Sequence, residues 1–244
     1  MKFIKVKIRA LLPPKDDIFK AFYKHLPKLK EGDVLFITSK VLAIHQGRCV
    51  RISQNTKHKT QVIKQEADAW LPPHKLAGHE FILSIKDHTL IPSAGIDESN
   101  GNGYYILWPK NTQILLKEIW TVLRKKYKVK NLGVVATDSH TTPMRWGTQG
   151  ISIGFYGFHP LRDYRGKQDI FGRKLKFTQS NIVDALSAAA VLFMGEGNEK
   201  TPMLIARGLN FVRFTTKDMY KSFVIHPKDD IYAPLLKPFR KLRK

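Results

Sequence analysis

Three carboxylates in this chain stand where a protein could hold a cation. Asp97, Asp138 and Glu196 each come just past a regular apolar pattern and beside glycine or small polar residues. Asp97 belongs to the stretch Ser93-Ala-Gly-Ile-Asp-Glu-Ser-Asn-Gly-Asn-Gly103, where Glu98 adds a second acid and Asn100 both a donor and an acceptor. Gly95, Gly101 and Gly103 free that loop from ordinary φ/ψ limits and would let a phosphate chain approach the backbone. If the three acids converge, they form an oxygen-only site suited to Mg²⁺ or Mn²⁺. With basic residues holding phosphates around it, that is the layout of a nucleotide-using enzyme without a P-loop. Each has a plainer reading: the loop as a turn between strands, Asp138 as a cap, Glu196 as a solvent-facing acid beside a C-cap glycine.

Other groups fit the same chemistry. The apolar run Val34–Thr38 delivers Ser39 and Lys40 at its end, where α/β sheets put ligand groups. Lys40 is thus a phosphate or carboxylate contact or an ordinary surface lysine. Arg145, in Pro143-Met-Arg-Trp-Gly147, is a candidate anion-binding residue. Cys49, the single cysteine, borders a strand and reads as core; it excludes an internal disulfide and any cysteine-based zinc cluster.

Familiar motifs are missing. Gly166-Lys167 is followed by Gln168, so no P-loop forms, and neither Gly101-Asn-Gly103 nor Gly195-Glu-Gly197 completes G-x-G-x-x-G. His79-Glu80 leads into Phe-Ile-Leu, not a second histidine, and the twelfth position of the loop begun at Asp97 is Trp108, which fails the EF-hand pattern.

Positioning these residues falls to a chain of 244 residues, 43% hydrophobic and 25% charged, enough for one large or two small domains with a real core. Lys and Arg number 42 against 20 Asp and Glu, a net charge of +22 that attracts polyanions. The basic residues are spread along the chain and cluster only in the tail, at Lys237, Arg240, Lys241, Arg243 and Lys244. No nucleic-acid-reading motif accompanies them, so charge favours binding an anion over reading a nucleic acid. No apolar run reaches about 18 residues, and the N-terminus lacks a signal-peptide core, so a cytoplasmic location is expected.

The pattern predicts an edge strand at the N-terminus, with Ile4, Val6 and Ile8 inward and Lys5, Lys7 and Arg9 outward. Helices are expected at Lys15–Leu26, Gln61–Trp70, Gln113–Lys128 and Thr178–Met194, the last capped by Ser180 and stopped by Gly195. Strands are expected at Val34–Thr38, Tyr104–Trp108, Leu132–Thr137, Gly150–Phe158 and Met203–Ile205, with a hairpin over Phe81–Ile91. Residues 163 to 173 read as a charged loop, and the chain past Phe214 as a peripheral helix and basic tail.

An ordered set of motifs resembles the gamma-glutamyl ligase family of the deazaflavin coenzyme F-420 over about Lys2 to Phe214. The set is Glu31-Gly-Asp-Val-Leu, Thr38-Ser-Lys, Gln46-Gly-Arg48, Ala94-Gly-Ile-Asp-Glu-Ser-Asn100, Gly133–Asp138, Gly166-Lys-Gln-Asp-Ile-Phe-Gly-Arg173 and Met194-Gly-Glu-Gly197 with Pro202 and Arg207-Gly208. Lys64-Gln-Glu-Ala-Asp68, Gly101–Trp108 and Thr141-Thr-Pro-Met-Arg-Trp-Gly147 look closer to a bacterial branch described as folate-metabolism gamma-glutamate ligases.

The resemblance implies an α+β, mixed-sheet fold, often an intertwined homodimer, over residues 1–214, with a possible subdomain boundary near 110 and a peripheral segment over 215–244. It implies two divalent metals, Mg²⁺ or Mn²⁺, and GTP or ATP. Carried over by motif, Asp97, Asp138, Ser139 and Glu196 are metal ligands, Ser139 standing where the family usually has Thr. Ser39, Lys40, Asn100, Met194, Gly195, Glu196 and Gly197 contact the nucleotide. Asp97, Asp138 and Arg145 are catalytic, and Arg145 and Asp169 meet substrate. The chain departs from the family at Ile44, where a Lys is usual, and at Thr141-Thr142, where Gly-Arg is usual.

The expected reaction joins L-glutamate to a folate through a γ-glutamyl amide by way of an acyl phosphate. The same reaction on the deazaflavin coenzyme precursor is the alternative. A reading of another class is a catalytically inactive, basic nucleic-acid-binding protein on the ligase scaffold. Partners are the nucleotide, glutamate, the acceptor and a second copy of the chain, without a membrane.

Overall fold

The computed structural model describes residues 1–76 and 78–241; Arg243 and Lys244, at the end of the basic tail, lie outside them. The element order begins β1 (Lys2–Val6), α1 (Ile18–His25), β2 (Asp33–Thr38), α2 (Ser39–Gln46), β3 (Cys49–Arg51) and α3 (Thr56–Glu66). Short strands β4 (Ala69–Trp70), β5 (His74–Leu76), β6 (His79–Phe81), β7 (Leu83–Lys86), β8 (Thr89–Pro92) and β9 (Tyr104–Ile106) follow. Then come α4 (Thr112–Tyr127), β10 (Leu132–Thr141), β11 (Thr148–Tyr156), β12 (Leu161–Asp163), β13 (Gln179–Asn181), α5 (Ile182–Met194) and β14 (Met203–Arg207). The chain closes with a four-residue helix α6 (Ala233–Leu236) and β15 (Arg240–Lys241).

The organising sheet has five strands in the order β1-β14-β2-β10-β11. β2 and β10 run parallel and every other pair is antiparallel, so the sheet is mixed. Alternation along β2 divides the core. Leu35 and Ile37 face α1, α2 and α4, while Val34 and Phe36 face α5. Because helices cover both faces, β2 is apolar from Val34 to Ile37 rather than alternating, and residues 33 to 37 are all buried. β1 lies at the sheet edge with Val6 and Ile8 buried, Ile4 half-buried and Lys5, Lys7 and Arg9 exposed, as its alternation requires.

The hairpin expected over Phe81–Ile91 is β7–β8, turning at Asp87 and His88, both at positive φ. The helix expected at Thr178–Met194 begins later: Ser180 sits in β13, and Asn181 caps α5 by accepting from the Asp184 N–H. The helix expected at Gln61–Trp70 lies earlier, as α3. α2 falls in a stretch with no predicted element. Past Phe214 the peripheral helix is reduced to α6, and β15 adds to the free edge of β4. Among the described residues no helix is long and apolar enough to cross a membrane.

Candidate active site

The parallel pair sets the site. Its last rung is Thr38 opposite Thr137. Beyond it β2 turns straight into α2, placing Ser39 and Lys40 in the first helical turn. β10 instead runs on against β11, through a register shift at Ala136/Thr137. Asp138, Ser139 and His140 are therefore strand residues paired with Ile151, Gly150 and Gln149, beyond the strand end expected at Thr137. Gly150 lets this stretch pass under α5, since a Cβ there would stand 2.5 Å from the Ser187 carbonyl oxygen.

The glycine-rich loop closes over this point. Its fold is local: the Ser99 N–H donates to Asp97 Oδ1 at 2.7 Å, and Asp97 exchanges both backbone hydrogen bonds with Ile106. Gly95, at φ +70°, packs under an indole; a Cβ there would stand 2.1 Å from Trp108 Nε1. Lys40 bridges from α2 to the loop, with Nζ 2.7 Å from Asp97 Oδ2, 2.7 Å from the Ser99 carbonyl and 3.1 Å from Ser99 Oγ. From the other side Asn100 Nδ2 donates to the Gly197 carbonyl at 3.1 Å, tying the loop to the segment after α5.

That segment is held by its own side chains. α5 ends at Gly195, and the Gly197 N–H donates to Glu199 Oε2 at 2.8 Å. The Thr201 hydroxyl donates to the Met194 carbonyl. Glu196 accepts from Ser139 Oγ at 2.7 Å, which joins it to β10. A cavity of about 450 Å³ results. Ser39, Lys40, Asp97, Asn100, Asp138, Ser139, Met194, Gly195, Glu196 and Gly197 all border it, gathered from four separate parts of the chain. Ile8, Ala10 and Leu11 after β1, with Ile44, Ile91 and Val191, supply an apolar side. Ile44, where the resembled family usually has Lys, is buried against the core as well as bordering the cavity.

Asp138 is electrostatically distinctive. Burial pushes its carboxyl up to about 6, and the nearby Asp97 carboxylate adds to the rise. Hydrogen bonds from the Trp108 indole, the Ser139 N–H and the Ser39 hydroxyl act the other way. A second carboxylate beside a desolvated one is a deficit of positive charge, which a divalent cation would fill. The donors offered are carboxylate and hydroxyl oxygens, which suit Mg²⁺ or Mn²⁺. Asp97 and Asp138 form the pair that fits such an ion, with Glu196 and Ser139 on the same wall. The three acids border one cavity without closing up: among the described residues no three His, Cys, Asp or Glu side chains stand together as one metal cluster.

Two expected residues are not brought there. Arg145 is exposed on the β10–β11 turn, outside the cavity wall, because the hairpin carries residues 142 to 147 away from the sheet. Asp169 is a turn former on the arm between β12 and β13: its Oδ1 accepts the N–H groups of Phe171 and Arg173, both at 2.9 Å. Cys49 packs at the core's margin, where burial pushes its thiol up and away from the reactive thiolate. Arg9 and His140 border the cavity and were not singled out from the sequence. Arg9 reads there as an outward edge-strand residue, and His140 as a polar residue just past the end of the strand Leu132–Thr137.

Fold and site define a mixed-sheet α+β protein with an acid- and lysine-lined cavity beyond the carboxyl ends of its parallel strands. Residues 6–208 match the family model described as F420-0:gamma-glutamyl ligase. The coenzyme F420:L-glutamate ligase of Methanopyrus kandleri is 30% identical, over 93% of this chain and 95% of that protein. The enzyme of the same name from Methanosarcina barkeri is 29% identical over 91% of this chain and 92% of its own length. One from Methanococcus maripaludis reaches 36% over 59% of each. The chain belongs to the F420-0:gamma-glutamyl ligase family, whose class is that of ligases forming γ-glutamyl bonds.

Proposed function

We propose that the protein is a nucleotide- and divalent-metal-dependent ligase that adds L-glutamate, through a γ-glutamyl amide, to a deazaflavin coenzyme precursor. The names of the relatives favour this acceptor over the folate that the bacterial-branch motifs suggested. The observation that carries the chemistry is the shared cavity wall, where the Asp97 carboxylate lies close enough to raise Asp138 and Lys40 and Asn100 reach in from opposite sides.

In this reading a carboxylate oxygen of the acceptor attacks the γ-phosphorus of GTP or ATP. The bond to the bridging oxygen breaks, leaving a nucleoside diphosphate and an acyl phosphate. The amine of glutamate then attacks the acyl carbon, phosphate departs, and the amine loses a proton. A divalent cation held by Asp97 and Asp138, with Ser139 and Glu196 beside it, would offset the repulsion between carboxylate and triphosphate. Lys40 is suited to the phosphates. Its ion pair with Asp97 is partly exposed, and such pairs contribute about 0–1 kcal/mol, so a triphosphate can draw the ammonium away. Asn100 and the Met194–Gly197 backbone would line the nucleotide.

We also propose that the working form is a homodimer. Met144 and Trp146 on the β10–β11 turn, and Ile170, Phe171 and Phe177 on the β12–β13 arm, are all almost wholly exposed. Large apolar side chains held in water at that density point to a protein surface that covers them.

The test is the purified protein with Mn²⁺, L-glutamate, GTP or ATP, and the deazaflavin precursor or tetrahydrofolate in parallel. A product one glutamyl residue heavier, from the deazaflavin acceptor and with phosphate release, is expected. Product from tetrahydrofolate alone would move the assignment to folate. No product from either, with steeply salt-dependent nucleic-acid binding instead, would replace the ligase reading with that of a basic binding scaffold.

A further inference from the structure

Trp108 lies just past β9 in a run that reads as plain core, Tyr105 to Trp108, all buried. Its indole is 1% exposed, yet its N–H donates to Asp138 Oδ2. An indole N–H is a donor only, and burying it without an acceptor is costly, so carboxylate and indole constrain each other.

Trp108 is held at both its ring and its backbone. Gly95 of the acid-bearing loop presses against the indole nitrogen edge so closely that no Cβ fits between them. The Trp108 carbonyl accepts from Arg48 Nε at 3.2 Å. Arg48 is itself fixed by Glu66, which also takes Lys86 Nζ at 2.9 Å. A partly buried ion triad in the α3–β7 region thus ends, through one tryptophan, on a carboxylate of the cavity wall. The same ring touches the Asp97 loop through Gly95. It thus joins Asp138 directly and the Asp97 loop by way of Gly95.

We infer that Trp108 is a positioning residue: its indole N–H holds the Asp138 carboxylate in the orientation that lets Asp138 and Asp97 bind one divalent cation. The inference rests on the proposed reading of those two acids as cation ligands. Hydrogen-bond partners of a ligating carboxylate fix its plane, and their loss typically weakens metal binding by about 10–100-fold. Trp108 would act only through Asp138, without touching nucleotide or acceptor.

The experiment measures Mn²⁺ binding by electron paramagnetic resonance on the full chain, with no nucleotide, glutamate or acceptor present. Wild type is compared with Trp108→Phe, with Asp138→Asn, with the double variant, and with protein carrying benzothienylalanine at position 108. That analogue keeps the two-ring shape and removes only the N–H, so it carries the test even where the Phe variant fails to fold. The expected result is Mn²⁺ binding about tenfold weaker in both position-108 proteins, with folding of the analogue protein intact. Once Asp138 is Asn, Trp108→Phe should weaken binding no further, because the two residues act as one unit. Wild-type affinity in the benzothienylalanine protein would overturn the positioning role and leave the metal reading standing. Failure of wild type to bind Mn²⁺ at all would overturn both.

Discussion

Asp138 is a carboxylate placed where water is scarce and a second carboxylate stands near, so it gives up its proton late. With its folded value raised to about 6 from the ordinary 3.8, the sign of two effects follows. The raised value favours the folded apoprotein at low pH; that contribution is fully present below about 3.8 and is lost as pH rises through about 6. Cation binding requires the deprotonated form, so it follows the opposite course. Mn²⁺ affinity should be near its plateau at pH 7 and about tenfold weaker at pH 5, one unit below the Asp138 value. Calorimetric titration at both pH values checks this; equal affinities would remove Asp138 from the ligand set. At this scale the sequence was legible wherever a residue's chemistry is rare in a core. Asp97, Asn100 and Glu196 announce themselves by polarity close to glycine, and Lys40 by its place at the end of an apolar strand. Trp108 did not, because an aromatic in an apolar run looks like packing until its N–H is seen to have a carboxylate partner. Arg145 was legible as a base but not as a position, since only the path of the hairpin decides which way its turn projects.

The elements that bear these residues depend on one buried charge. Asp33, at the start of β2, is wholly buried and pairs with Arg207 at the end of β14, with Nη2 2.7 Å from Oδ2. The Lys30 N–H also donates to Asp33, at 2.8 Å. Removing the guanidinium would leave a buried carboxylate without its counter-charge, which costs about 3 kcal/mol. Arg207→Met should therefore lower Tm by about 6–12 °C in a chain of this size, by calorimetry. Asp33→Asn in the same background should recover part of the loss. A Tm unchanged in Arg207→Met would show that the pair does not hold β2 to β14. Element by element, the long periodic stretches α4 and α5 and the doubly buried β2 were readable, because helix amphipathicity and two-faced burial leave unmistakable patterns. α2 was not. Val41, Leu42, Ala43 and Ile44 are all buried, so the helix shows no polar face to give it a period. β10 ran past its expected end because β11 supplies hydrogen-bond partners to the polar Asp138-Ser-His-Thr141 segment, a long-range fact absent from local composition.

For the whole molecule, the mixed sheet with helices on both faces follows from the ordered motifs more than from composition. The same charge balance and apolar fraction would suit many α+β folds. What composition left unassigned is the outer surface. Sedimentation equilibrium should find twice the chain mass, and Trp146→Asp together with Phe171→Asp should shift the equilibrium toward monomer. A monomeric wild type at micromolar concentration would contradict the dimer.

In the proposed reaction this cavity activates the acceptor carboxylate by phosphorylating it. The direct test is to label the acceptor carboxylate with ¹⁸O and follow the released phosphate by mass spectrometry while glutamate is added. One ¹⁸O in phosphate is expected for each glutamyl bond formed, with loss of both product and label in Asp97→Ala and Asp138→Ala. Product forming with unlabelled phosphate, or label transfer that persists in either alanine variant, would contradict it.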